Sequence, residues 1–420
     1  MPRKAATSSE EESKPKIPTF DQSGLFGKEL LAFMVSKGML PVKIGDFSFV
    51  KTGILAIDSA LYGGLVRGWI TEIAGNSDRG KSTLSQILTA NAAMQGYRVA
   101  YLDHEGTLVS KKWMKDMGIP LEQVWDGIGE YKDKLIHIFH PASLERGLEF
   151  CRIAARANIY DLIIYDSIGR APTETMVESE IKQTSYSPMS RVMSDFSAKV
   201  TEAFVGSKTA MIMINTVYTN PGNKFYDINH PKGREIVSKA DPTVSYMCGH
   251  RLWMHDPRSD DFEWDDEKSP NKRWVRRNFP VELWKSKSSP HPQKFHFQVQ
   301  YNPKTDTYQL NVAHDILFTG LDLGVLTKRG PYFFMGERNI GQGEAKTEET
   351  IRTDPELAGS IITAIEDIIA ENLAIFNATG EGTIHEEAEP TTTPDESDSD
   401  LHSGERWENE RPVEIPASGT

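Results

Sequence analysis

The chain has 420 residues, a formal net charge of −13, 38% hydrophobic residues and only two cysteines, Cys151 and Cys248. That length can bury a substantial core in one large α/β domain with appendages or in two domains, and so few cysteines exclude a disulfide framework and point to a reducing compartment. No apolar run reaches the length of a membrane span, and Met1-Pro2-Arg3-Lys4-Ala5 leads into a Ser/Glu/Lys stretch without a signal-peptide core, so a cytoplasmic protein with no membrane partner is expected.

Residues 1–17 and 379–420 are expected to be disordered by composition. From Glu381 onward the only basic residues are Arg406 and Arg411, and this tail carries about −10 of the charge, leaving the remainder close to neutral. It reads either as a solubiliser or as an acidic mimic of nucleic acid that competes for a basic groove. Residues 18–48 hold Leu25, Leu30, Leu31, Phe33 and Met34 on or beside a helix expected over 28–37 and closed by Gly38. A lone helix of that length is marginal in water, so this element must pack on its own core or on a neighbouring subunit.

Trp69-Ile70-Thr71-Glu72-Ile73-Ala74 alternates as a strand should, and Thr83 to Leu88 carries Leu and Ile at helical spacing. Between them lies Gly75-Asn76-Ser77-Asp78-Arg79-Gly80-Lys81-Ser82, the pattern of a phosphate-binding loop opening a helix. Its glycines let backbone N–H groups face an anion at the helix N-terminus, Lys81 would reach the β- and γ-phosphates, and the Ser82 hydroxyl would sit on Mg2+.

Tyr97 to Glu105 is a buried strand delivering Asp103, His104 and Glu105 at its C-terminal end, the edge where open parallel sheets bind ligands. Glu105 reads either as the acid that polarises an attacking water or as a cap on the next helix, while His104 points to the opposite face and reads as packing. Asp161 to Ser167 is a second apolar strand ending in an acid, a Walker B element in which Asp166 would hold Mg2+ opposite Ser82. Thr209 to Thr216 is a third such strand. Strands alternating with helical stretches give an α/β fold with a mainly parallel central sheet.

Two long connections follow. One, 171–189, carries Lys182 and Met189, with Arg191 opening the next helix; the other, 217–244, carries Tyr218, Lys224, Lys232, Arg234 and Lys239. Basic side chains interleaved with aromatics suit single-stranded nucleic acid, and a solvated loop is the alternative for either.

In this order of elements the chain resembles the RecA family of recombinases, in its phage-type, UvsX-like branch. The resemblance is carried by Thr52 to Leu61 before the phosphate loop, by Lys285-Ser286-Lys287 at a strand end, and by Asp322-Leu323-Gly324 with Gly336 to Gly343. It implies a RecA-like P-loop core over 49–314, a small C-terminal α+β subdomain over 315–378, and an oligomerisation role for 18–48. It implies that Glu105 activates water, that Trp113 stacks on adenine, that Asp103 lies beside the nucleotide, and that Lys285 and Lys287 reach the active site of the adjacent subunit. ATP and Mg2+ are the implied cofactors. The implied partners are single- and double-stranded DNA, further copies in a helical filament, and single-strand-binding and loader proteins. Where the family carries Gln or His after the asparagine, this chain has Thr216; a Gly-Gly pair late in the second connection is absent, and 256–277 is an insertion, acidic in its first part. The expected activity is DNA-dependent ATP hydrolysis that drives homologous pairing and strand exchange. A nucleotide-binding regulator without strand exchange and a ring-forming helicase are the alternatives.

Overall fold

Apolar, β-branched runs alternate with helices from Ile70 onward, and in the computed structural model these runs join one twelve-stranded sheet. The structure describes residues 47–125, 127, 130–178, 188–219, 236–265, 268, 273–291 and 293–379. The expectations for 1–17, for most of 18–48 and for the tail lie outside these residues.

The strands are β1 (Ile70–Gly75), β2 (Val99–Asp103), β3 (Val124–Trp125), β4 (Ile136–Phe139), β5 (Leu162–Asp166) and β6 (Ala210–Thr219), followed by β7 (Ile236–Ser238), β8 (His250–Met254), β9 (Phe262–Trp264), β10 (Trp274–Lys285), β11 (Gln293–Asn302) and β12 (Thr307–Leu310). Their spatial order is β12-β11-β10-β8-β1-β6-β5-β2-β4-β3, with β9 paired to β10 and β7 to β6. From β8 to β3 every neighbour is parallel, and β10, β11 and β12 continue the sheet antiparallel beyond β8.

Period-2 alternation sends side chains to two separate cores. Leu162 and Ile164 of β5, with Ile212 and Ile214 of β6, face one side; Ile163, Tyr165, Met211 and Met213 face the other. Helix α2 (Lys81–Met94) covers the first face with Leu84, Ile87 and Leu88, at the i, i+3, i+4 spacing of a single stripe. Helices α4 (Leu144–Ala157) and α5 (Pro188–Phe204) cover the second, after the short α1 (Leu55–Ala60) and α3 (Lys111–Asp116) earlier in the chain. Burying each such aliphatic side chain stabilises the layer by roughly 1.5–3 kcal/mol, which is what fixes strand register. Both thiols are buried in the second core and burial pushes their pKa values up, so neither is a ready nucleophile.

The second long connection is more ordered at its base than its polar composition suggests. Strand β6 runs on to Thr219 and β7 pairs back onto it, because Val217, Ile236 and Val237 are β-branched; α6 (Asp241–Met247) follows. In the first connection a short helix, Glu174–Glu178, precedes α5, which starts at Pro188 rather than Arg191, as proline in a first helical turn permits.

The C-terminal unit contains α7 (Val312–Asp322), the antiparallel strands β13 (Thr327–Arg329), β14 (Tyr332–Met335) and β15 (Arg338–Gln342), then α8 (Glu344–Thr353) and α9 (Pro355–Thr379), around a third apolar cluster. Helix α7 runs across the expected 314/315 boundary. It also supplies a cap to α1, whose own N-cap residue, Ile54, has no capping side chain. The Asp315 carboxylate accepts the N–H groups of Leu55 at 2.6 Å and Ala56 at 3.1 Å. Burial pushes the Asp315 pKa up to about 7, against these same hydrogen bonds.

Candidate active site

The parallel register brings the chemical residues to one edge. Gly75 of β1 lies opposite Thr216 of β6, and Asp103 of β2 opposite Asp166 of β5; Gly75, Asp103 and Asp166 end their strands at the C-terminal edge, while β6 runs on three residues past Thr216. Gly75 is required by close approach: a Cβ there would lie 2.6 Å from the carbonyl oxygen of Met254 on β8. Gly80 has φ of +88° and precedes α2; a Cβ there would lie 2.2 Å from a ring carbon of Phe279 on β10. Both glycines let the loop lie on the β8–β10 pair, and Ser77 and Asp78 form its exposed crest.

Lys81 is 8% exposed, and its Nζ donates to the carbonyls of Gly75 at 2.9 Å and Asn76 at 2.6 Å. Burial lowers its pKa, opposed by the charges of Glu105, Asp166 and Asp78. Ser82 and Thr83 follow, half-buried, in the first turn of α2. Asp166 is fully buried; its Oδ2 accepts the Tyr101 hydroxyl at 2.6 Å, and Tyr101 also bonds Ser85 of α2 at 2.8 Å. Burial pushes the Asp166 pKa up to about 6 against the hydroxyls of Tyr101 and Ser82. Its Oδ1 is buried with no hydrogen-bond partner among the described residues. An orphaned carboxylate oxygen beside a serine hydroxyl is a hard-oxygen donor set that fits Mg2+ carrying a nucleotide phosphate.

Glu105 lies two residues beyond β2, where its Oε1 accepts the Ser167 hydroxyl at 3.1 Å and pairs with Arg170 at 3.4 Å. The loop that carries it is shaped by Asp103. That carboxylate accepts the N–H groups of Glu105 at 3.0 Å, Gly106 at 2.8 Å and Leu108 at 2.8 Å. Asp103 therefore spends its oxygens on backbone and shapes the loop that carries Glu105. His104 stacks on Tyr165 and bonds its hydroxyl at 2.9 Å, as packing. Trp113 is 39% exposed on α3, with its backbone N–H donated to the capping Ser110 hydroxyl at 3.2 Å.

Lys285 and Lys287 are not brought to this edge. Lys285 lies opposite Arg251 of β8, which lies opposite Glu72 of β1, so the pair sits towards the far end of the sheet from its own phosphate loop. Lys285 donates to the carbonyl of Ser245, and Lys287 is exposed. Burial and the charge of Lys287 lower the Lys285 pKa.

Of the residues expected to meet DNA, Lys182, Lys224, Lys232 and Arg234 lie outside the described residues, and Tyr218 is placed only as part of β6. Arg191 projects from α5 into solvent, with Asp195 at 4.0 Å. Met189, in the first turn of α5, packs partly buried against the second core. Lys239 turns inward and donates to the carbonyl of Gly169 at 2.6 Å, so its ammonium is already engaged.

Sequence reasoning missed a buried network beneath the site. Glu72 accepts from Arg251 Nε at 2.6 Å and from Asn215 Nδ2 at 2.8 Å, and Arg251 also donates to Ser238 at 3.1 Å. A signal for it existed, since an acid inside the apolar β1 run needs a buried partner. The Thr216 hydroxyl is buried beside Gly169, where a Cβ would come within 2.3 Å of it.

The doubly covered parallel sheet, with a phosphate loop and a strand-end acid at its C-terminal edge, defines a P-loop nucleotide-binding core. The RecA N-terminal domain matches residues 25–237 and the RecA C-terminal domain residues 314–370, and the chain belongs to the RecA family. It is similar to Protein RecA of Chloroflexus aurantiacus, 24% identical over 313 residues that cover 74% of this chain and 80% of that protein. Protein RecA of Chelativorans sp. strain BNC1 is 26% identical over 351 residues, covering 83% and 88%. Among solved structures, a RadB recombinase aligns with a TM-score of 0.40 and 19% identity over 62% of this chain and 98% of that one. No helix among the described residues is long and apolar enough to cross a membrane.

Proposed function

We propose that this chain is an ATP- and Mg2+-dependent recombinase of the phage-type, UvsX-like branch, which assembles head to tail on single-stranded DNA and promotes homologous pairing and strand exchange with duplex DNA. The observation that carries the reading is the meeting of Lys81, Ser82, Asp166 and Glu105 at one sheet edge, in a chain that matches both RecA domains.

In this reading the N–H groups at the start of α2 and the Lys81 ammonium bind the phosphates. Asp166 and Ser82 would hold Mg2+, which when bound would supply positive charge beside the phosphates. Glu105, oriented by Ser167 and by its Asp103-shaped loop, takes the proton of the attacking water. Trp113 offers a face to the base. Lys285 and Lys287, remote from their own loop, serve the site of the adjoining subunit, and a contact of that kind that fails to close into a ring makes a helical filament. Single-strand-binding and loader proteins are the further partners of such a filament, in the cytoplasm of a phage-infected host.

A second reading, a nucleotide-binding regulator without strand exchange, is favoured by the short, inward-facing Thr216. Measuring ATP hydrolysis with and without single-stranded DNA, alongside imaging and a strand-exchange assay, separates the two. DNA-stimulated turnover with filaments and exchanged strands supports the first; nucleotide binding without exchange supports the second.

A further inference from the structure

The segment joining β8 to β10 lies outside the phosphate-loop pattern, yet it grips the loop. Arg79 Nε donates to Asp256 Oδ1 at 2.5 Å, and Asn76 Nδ2 reaches the same carboxylate at 3.1 and 3.4 Å. Arg277 Nη2 donates to the carbonyl of Asp78 at 3.2 Å, while its guanidinium rests on the rings of Phe279 at 4.3 Å and Phe262 at 5.1 Å. Partial burial raises the Asp256 pKa, but the hydrogen bonds from Asn76 and Arg79 outweigh it and hold the carboxyl below its ordinary range.

Within the loop, Arg79 and Lys81 are the only cations. Lys81 is buried against loop carbonyls, so Arg79 is the cation nearest solvent, and Asp256 engages it. The side chains of Arg79 and Asp256 are 31% and 59% exposed, so this ion pair adds little to stability and its consequence is for charge. A polyphosphate held at the start of α2 attracts the same guanidinium, which binds phosphate oxygens in the geometry it uses for carboxylates.

Resting on the reading that this loop binds a nucleoside triphosphate, we propose that Asp256 is a positioning residue that holds Arg79 away from the phosphates, so that nucleotide affinity is set by exchange of Arg79 between carboxylate and phosphate. The insertion after β8 thereby tunes a site to which it contributes no ligand.

The test is binding of a fluorescent ADP and of a non-hydrolysable ATP analogue, each with Mg2+, to the full chain. Asp256→Asn keeps the shape and removes the charge; it should tighten the triphosphate about three- to tenfold at low salt, more than the diphosphate, with the gain shrinking as salt rises. Asp256→Glu, which keeps the charge, should stay near wild type. In an Arg79→Gln background the gain from Asp256→Asn should fall within about twofold, because the residue through which Asp256 acts is gone. Equal gains in both backgrounds, or an Asp256→Asn protein that binds no tighter than wild type, would overturn the proposal while leaving the nucleotide site intact. A wild-type protein that binds neither probe, or whose binding is unchanged by Lys81→Ala, would remove the nucleotide reading and this proposal with it.

Discussion

The interfacial site can be tested by mixing two inactive proteins. Lys285 is two strands across from β1 and level with Glu72, three residues behind Gly75. At ~4.8 Å between strands and ~3.3 Å per residue, its Cα is about 14 Å from the start of its own phosphate loop, and Lys287 is further still. That is beyond the reach of a lysine side chain, so the catalytic role proposed for this pair requires the site of another subunit. A Lys81→Ala protein and a Lys285→Ala/Lys287→Ala protein should each hydrolyse ATP poorly, because every interface lacks one set of cations. In a head-to-tail assembly mixed one to one, roughly a quarter of interfaces combine an intact loop with an intact lysine pair, so about a quarter of wild-type turnover should return. Steady-state hydrolysis with single-stranded DNA is the assay, and the recovered activity should vanish on dilution. If co-assembly is demonstrated and no activity returns, the lysines do not complete a neighbouring site and the reasoning fails.

Glu105→Gln should keep nucleotide binding and slow hydrolysis by roughly 10²–10⁴, the usual value of general-base assistance, and unchanged turnover would remove Glu105 from the mechanism. Truncation after Gly380 removes about −10 of charge; if the tail competes for the DNA groove, single-stranded DNA should bind tighter or faster at low salt, and identical binding would leave it a solubiliser. Burial raises the Asp315 pKa to about 7 from the ordinary carboxylate value of about 4, so the native state retains a proton that the unfolded chain has released between those values. Its contribution is therefore complete below about pH 4 and is lost as pH rises through about 7, on the order of 4 kcal/mol in all. Asp315→Asn should flatten the fall in stability between pH 5 and 8, measured by denaturant unfolding; an unaltered slope would show that Asp315 does not titrate in that range.

Local pattern determined much of this protein. The strand–loop–helix around Gly75–Ser82, the acids ending β2 and β5, and the α/β alternation are set by residues within a few positions of one another, where period-2 and period-3.6 spacing act directly. Tyr101 was within reach too, since it lies two residues before Asp103 and therefore shares its face. Tertiary structure decided the rest. That Gly80 must be glycine because of Phe279, that Asp256 takes Arg79, and that Asp315 caps α1 are facts about residues 177 to 260 positions apart in the cited pairs. The first two follow from β8 pairing with β1 and drawing β10 in behind it, which lays the segment between them against the phosphate loop. Side-chain periodicity says which residues of a strand face inward, but it is the same for any neighbour. The order of strands in a sheet is chosen by how whole faces pack, so it is decided only when the chain has folded.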